Sequence, residues 1–273
     1  MERRVLTFMT GVLFYIWVSN SLGGEMQESK SASSQSDEAV TVAVLKRVAE
    51  KRIYFAHQSV GLNIIDGIND ILKEHQGAEL RIAKTKDPLA LNSPVFAHSM
   101  VGENEDPVSK INDFVRSMDT GIGGKAEIAF FKFCYVDITR NTDVEEVFTA
   151  YKTAMQRLKN KYPNTQFVHL TVPLSLSAPS IKGWIKGVLG REDNNIKKSV
   201  YNAMLRHEYG GRDPIFDLAG IESTYPDGRK ASFTSNGTTY YSLVPDYTSD
   251  DGHLNETGRR IMAGQLLKFL SKL

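Results

Sequence analysis

Residues 127–138 read EIAFFKFCYVDI, apolar at nearly every position. A strand with one wet face alternates apolar and polar side chains, so a run that is apolar on both parities belongs to a strand covered on both faces. Such strands occur in parallel sheets with helices above and below, and this run is the expected central strand. The rest of the chain supplies the matching alternation of short apolar runs and amphipathic segments, so the expected architecture is one α/β/α layer structure with a doubly wound, mostly parallel sheet.

In order, Asp37 is placed to cap a first helix through Val40, Val42, Val44, Leu45 and Val48. Residues 52–56 form a strand, residues 62–75 a helix with Ile64, Ile65, Ile68 and Ile71 at helical spacing, and residues 79–83 a second strand. A proline-containing loop is expected over residues 84–106. Pro107 then opens a helix carrying Ile111, Phe114, Val115 and Met118, which stops before Gly121. Beyond the central strand come a helix (144–161), a strand (166–172), a loop with Trp184, a helix (194–207) and a strand (214–218). Residues 222–251 break the rhythm and read as a loop with a hairpin at Asn236-Gly237, before a last helix bearing Ile261, Met262, Leu266, Leu267, Phe269 and Leu270. At 273 residues the chain exceeds the roughly 150 of an average domain, yet it contains no internal repeat and no second core pattern.

The segment ahead of this domain has a different character. Arg3 and Arg4 precede an apolar stretch over residues 5–18, and Ser21 and Gly23 stand at the spacing of a cleavage site, so residues 1–23 read as a signal peptide and the protein as secreted or periplasmic. The stretch is shorter than the roughly 20 residues that span a bilayer; the alternative is an uncleaved signal anchor. Residues 24–38, serine-rich and without aromatics, read as a flexible linker into a domain over residues 39–273.

Charge and cysteine usage narrow the chemistry. The chain has 33 basic and 32 acidic side chains, and loss of residues 1–23 removes Arg3, Arg4 and Glu2, leaving no net charge with which to grip a polyanion. Nucleic acid is not an expected partner, nor is a membrane beyond the leader. Cys134 is the sole cysteine, so there is no intramolecular disulfide and no multi-cysteine metal centre. No cofactor is expected.

Ligands of open α/β sheets bind beyond the carboxyl ends of the strands. After the first strand comes His57-Gln58-Ser59-Val60-Gly61, a serine on a strand-to-helix turn with a helix N-terminus behind it. Before the last helix comes Asp250-Asp251-Gly252-His253. A carboxylate three residues before a histidine can fold back onto Nδ1, leaving Nε2 free to take a proton from a serine hydroxyl. Ser59, Asp250 and His253 are thus the expected nucleophile, orienting acid and base.

These two segments resemble the first and last blocks of the SGNH (GDSL-like) hydrolases, an apolar strand ending in Gly-Asp-Ser and an Asp-x-x-His before the terminal helix. The likeness spans residues 52–273, most specifically in the last block. It implies a single three-layer α/β/α domain with a flavodoxin-like five-stranded sheet, acyl-ester hydrolysis through Ser59, Asp250 and His253, and a small-molecule or polysaccharide ester as substrate. Two departures stand out. His57-Gln58 replaces Gly-Asp, and Cys134-Tyr135-Val136-Asp137 replaces Gly-x-Asn-Asp, so a valine stands where the family has its oxyanion asparagine. Residues 101–107 occupy the place of the second block; the resemblance therefore implies Gly102 N–H as one oxyanion donor, and Asn104 is the candidate for the missing side-chain donor.

His57 has two readings, a group contacting substrate or the oxyanion, and a hydrogen-bonded buttress of the turn. Asp137 reads chiefly as an acceptor for loop amides, Cys134 as a small core residue, Lys132 as a strand-face lysine paired with an acid and His169 as a core histidine. His75, His98 and His207 lack partners at metal-ligand spacing. The competing functions are an O-acyltransferase using the same three residues, a non-catalytic binding protein, and a metal site from His57, Asp250, Asp251 and His253.

Overall fold

The computed structural model describes residues 40–75, 77–177 and 193–273. The expected leader, linker, Asp37 cap and Trp184 lie outside the described residues. The first helix, α1 (Val42–Ala49), is capped by Thr41, whose hydroxyl accepts from Val44 N.

The sheet is parallel, in the order β2-β3-β1-β4-β5, with β1 at Arg52–His57, β2 at Ile82–Lys84, β3 at Val95–Met100, β4 at Ile128–Phe131 and β5 at Gln166–Phe167. The next short strand, β6 (His169–Leu170), pairs with β7 (Ile215–Phe216). Val168 N–H donates to Ala129 O while His169 N–H donates to Pro214 O, the alternation by which one strand serves a neighbour on each side. The chain runs from β1 to β3 on one flank and then returns to β4 on the other, which leaves a switch point at the carboxyl ends of β1 and β4.

Side chains alternate across the sheet as a three-layer fold requires. Ile53, Phe55, Phe96, Ile128 and Phe130 enter a core under α1, α2 (Ser59–Glu74) and the terminal helix. Tyr54, Ala56, Ala97, Ala129 and Phe131 enter the opposite core, under α3 (Pro107–Asp119), α4 (Val144–Lys161) and α5 (Asn194–Tyr209). Two further helices follow, α6 (Leu218–Glu222) and α7 (Glu256–Leu270), with the hairpin β8 (Ser232–Ser235) and β9 (Thr238–Tyr241) between them. Asn236 and Gly237 turn that hairpin at φ 50° and 76°, the left-handed conformations that an Asn-Gly turn supplies.

Three expectations change. The stretch expected as a loop over residues 84–106 contains β3, hydrogen-bonded directly to β1. The expected central strand is four residues long, lies between β1 and β5, and gives way at Lys132 to a turn over residues 135–137. α2 begins at Ser59 rather than Leu62, so the candidate nucleophile is itself the first helical residue. Among the described residues no helix is long and apolar enough to cross a membrane.

Candidate active site

β1 delivers its chain to the switch point and α2 leaves it, with a single extended residue, Gln58, between them (φ −118°, ψ −156°). Gln58 makes no side-chain cap bond. Its amide instead donates to Val101 O at 2.8 Å and Gly102 O at 2.6 Å, tying the turn to the chain after β3. The first amides of α2, including that of Ser59, therefore have neither an intrahelical acceptor nor a cap from Gln58. Gly61 permits the tight exit, because a Cβ there would stand 2.2 Å from His57 Cβ.

Facing Ser59 is the loop before α7. Asp250 Oδ1 accepts from Gly252 N at 2.8 Å and His253 N at 2.7 Å, and Oδ2 lies 2.7 Å from His253 Nδ1. A carboxylate can only accept, so Nδ1 carries the proton and Nε2 is the bare nitrogen of the neutral ring. Nε2 lies 2.9 Å from Ser59 Oγ, across 194 residues of sequence. Partial burial pushes the Asp250 carboxyl up, but the bonds from Gly252, His253 N–H and the His253 ring outweigh it and hold the group at about 2. The imidazole is walled on one side by Tyr135, edge-on at 5.3 Å between ring centroids, and Gly252 lies flat on the same tyrosine, where a Cβ would come within 2.7 Å of the ring.

Helix packing sets this approach. Gly67 on α2 admits α7 so closely that a Cβ would lie 2.3 Å from Arg259 O. Arg259 pairs with Asp70 at 2.7 Å and Arg260 with Glu74 at 2.6 Å, and Asn63 accepts from Leu254 N at 3.1 Å, one residue after His253. One helix thus carries Ser59 at its start and grips the loop that bears His253 along its length.

The opposite wall comes from the ends of β3 and β4. Asp137 and Lys110 form a fully buried ion pair at 2.6 Å, and Asp137 also accepts from Cys134 N at 2.6 Å and Glu105 N at 2.9 Å, joining two loops. Lys110 Nζ donates to Asn104 Oδ1 at 3.0 Å, so the Asn104 amide turns its Nδ2 away from the lysine. Gly102, at φ 48°, sits against the Lys110 backbone. Its N–H donates to Asp113 Oδ2 at 3.0 Å, so the expected use of Gly102 as an oxyanion donor is corrected: that hydrogen is committed elsewhere. Cys134 is buried, with Sγ 3.9 Å from Ser59 Oγ, and so lines the site as well as the core.

His57 is a buttress. It is buried, its Nδ1 is 2.8 Å from Gln58 O and its Nε2 is 2.9 Å from His98 Nδ1. His98, expected on a loop, lies in β3 and has this partner. With both ring nitrogens of His57 engaged, the metal reading that included it loses a ligand. Lys132 bonds Phe133 O rather than an acid at 2.9 Å, and His169 is a core histidine bonded to Tyr151 at 2.7 Å and stacked on Tyr209.

Sequence reasoning missed a buried charged cluster behind Tyr135. Lys198 donates to Ser175 Oγ at 2.9 Å and stands over the Tyr135 ring; burial pulls it down to about 8. Burial pushes nearby Glu222 up to about 7. Its signal was present: Asn195, Lys198 and Asn202 recur at helical spacing on one face of α5, all buried, and the two asparagines replace ladder bonds to Ser175 and Val172.

No protein-family model matches the chain, and no curated protein matches it in sequence. Solved structures do. A protein of Streptococcus pneumonia described as a candidate platelet activating factor is 14% identical with a TM-score of 0.50, the match covering 84% of this chain and 91% of that one. A candidate GDSL-like lipase from Parabacteroides merdae (14% identity, TM-score 0.46) is matched over 81% of this chain and 96% of its own. A family 3 carbohydrate esterase from Clostridium thermocellum (13%, TM-score 0.43) is matched over 80% and 94%. The likeness to the first of these is one of fold, a three-layer α/β/α structure around a parallel sheet.

Proposed function

We propose that this protein is a serine hydrolase of acyl esters, with Ser59 as nucleophile, His253 as general base and then acid, and Asp250 orienting the imidazole. The observation that carries the reading is the relay Asp250 Oδ2 to His253 Nδ1 at 2.7 Å and His253 Nε2 to Ser59 Oγ at 2.9 Å. Ser59 Oγ attacks the ester carbonyl carbon while its proton passes to Nε2, and the carbonyl π pair moves onto oxygen. The tetrahedral intermediate expels the alcohol, which takes the proton from Nε2, and water repeats the sequence on the acyl-enzyme. The developing oxyanion is met by Ser59 N–H at the start of α2, where the helix dipole adds to the hydrogen bond. Asn104 Nδ2, turned outward by Lys110, is the second donor we assign.

Carbohydrate O-acyl esters are the substrate class of this proposal, and the periplasm or exterior its place. What supports both is the basic, then apolar start of the chain and the absence of net charge after residues 1–23. Hydrolysis of p-nitrophenyl acetate by the protein lacking residues 1–23 tests the chemistry. Ser59→Ala is expected to lower kcat by about 10⁴-fold or more and to abolish labelling by a fluorophosphonate. Wild-type protein that neither turns over nor is labelled would sink the reading. Asn104→Ala is expected to lower kcat about 10²-fold with fluorophosphonate labelling retained but slowed; unchanged turnover removes Asn104 from the oxyanion site.

A further inference from the structure

Behind the Ser59 turn runs a second chain of hydrogen bonds. His57 Nδ1 lies 2.8 Å from Gln58 O, an atom that can only accept, so Nδ1 is the protonated nitrogen of His57. Nε2 is then a bare acceptor, and the His98 Nδ1 that faces it at 2.9 Å must bring the hydrogen. Gln58 O therefore fixes the tautomers of both rings in series. The rings lie nearly parallel, 15° apart, and both residues are buried. Burial first, aided by the charges of Lys132 and Lys84, pulls His57 down to about 3, and burial with Lys84 pulls His98 down against the opposing Asp66. Burial thus favours the neutral form of both rings.

The receiving carbonyl matters because of what shares its peptide plane. Gln58 C=O and Ser59 N–H belong to one planar, trans unit, so the oxygen and the hydrogen point in opposite directions. Gln58 O also accepts the first helical bond of α2, from Leu62 N at 3.1 Å. Two donors on the oxygen hold the plane and draw electron density from the nitrogen, which makes the N–H on the far side a stronger donor.

We propose that His57 and His98 are positioning residues that orient and polarise the Ser59 N–H as an oxyanion donor, an inference that rests on Ser59 being the nucleophile. This gives a chemical purpose to the histidine that stands where the SGNH pattern the chain resembles has glycine, and it strengthens one backbone donor in a site where Val136 supplies no side-chain donor.

The test compares His98→Leu, which removes the donor to His57, with His98→Gln, whose amide can restore it. In His98→Leu the His57 Nδ1–H keeps Gln58 O, but Nε2 loses its donor and the ring its anchor, so the bond that reaches Gln58 O is weaker and less fixed. We expect kcat to fall about tenfold with KM unchanged, less than the 10²–10³ that follows loss of a whole oxyanion donor, and His98→Gln to recover most of it. Nitrogen-15 spectra of the imidazoles give a readout independent of turnover: His57 protonated at Nδ1 throughout, with the hydrogen-bonded shift of its Nε2 present in wild type and His98→Gln and lost in His98→Leu. Wild-type His57 protonated at Nε2 overturns the inference even if His98→Leu does not fold. Full kcat in His98→Leu of an active enzyme overturns it alone, whereas an inert wild type overturns the nucleophile assignment together with it.

Discussion

The Ser59–His253 side of the site and the Gly102–Asp137 side are built from different interactions. On the first, two helices pack through Gly67, half-buried arginines add ion pairs at the rim, and both Asp250 and His253 remain substantially open to solvent. On the second, the ion pair of Lys110 with Asp137 is sealed at 0% exposure and gathers the amides of two loops onto one carboxylate. Packing tolerates small adjustment, since neighbouring side chains can shift to share the strain. A sealed charge does not, because removing its partner strands it in a medium that cannot solvate it.

Asp137→Ala is the most severe way to break that contrast. It leaves Lys110 unpaired and two loop amides without an acceptor, and should destabilise the fold by about 3–5 kcal/mol, read as a drop in urea midpoint. Adding Lys110→Met should recover only part of the loss, since the amides of Cys134 and Glu105 remain orphaned. Full recovery would mean that the amides carry none of the stability and that the two walls differ less than described.

Gly67→Ala probes the packed side. A Cβ 2.3 Å from Arg259 O forces α7 away, at a cost of about 1–3 kcal/mol that the better helix propensity of alanine offsets by about 1. The loop before α7 carries the proposed base, so kcat should fall further than stability does, by up to about 10²-fold for a displacement of about 1 Å. Equal effects on both quantities would show that the helix contact is structural only.

The smallest effect concerns pH. The Asp250 carboxyl is held at about 2, below its ordinary value of 3.8. Its stabilising contribution is thus complete above pH 3.8 and disappears as pH falls through 2. With half of that side chain exposed, solvent and salt screen the contribution. Asp250→Asn should slightly flatten the loss of stability between pH 4 and 2, and 1 M salt should erase the difference from wild type; a large, salt-resistant change would place Asp250 with the sealed wall instead.

The packed side was the more legible in sequence. Asp250 and His253 lie three residues apart, Ser59 follows an apolar strand, and the apolar spacing on α2 and α7 declares which faces meet. α4 was readable to its ends, because Val144, Val147, Phe148, Tyr151, Met155 and Leu158 mark its buried face and Asp143 caps it. The sealed side was less readable. Asp137 was readable as an acceptor for loop amides, but its ion pair with Lys110 of α3 was not, and β3 itself hid behind Pro94 in a stretch without alternation. Missing β3 also hid the His57–His98 pair, since only the pairing of β1 with β3 sets those rings side by side. The hydrogen that Gly102 gives to Asp113 depends on how the chain after β3 crosses α3, which no spacing encodes.

The separation of 194 positions between Ser59 and His253 also sets a schedule. α7 follows every other element in the chain, so the hydroxyl and its base cannot meet until the sheet has formed and that helix has closed over α2. On the proposed chemistry, a folding chain is silent until that docking step. The onset of fluorophosphonate labelling during refolding would therefore time that step, separately from the growth of secondary structure.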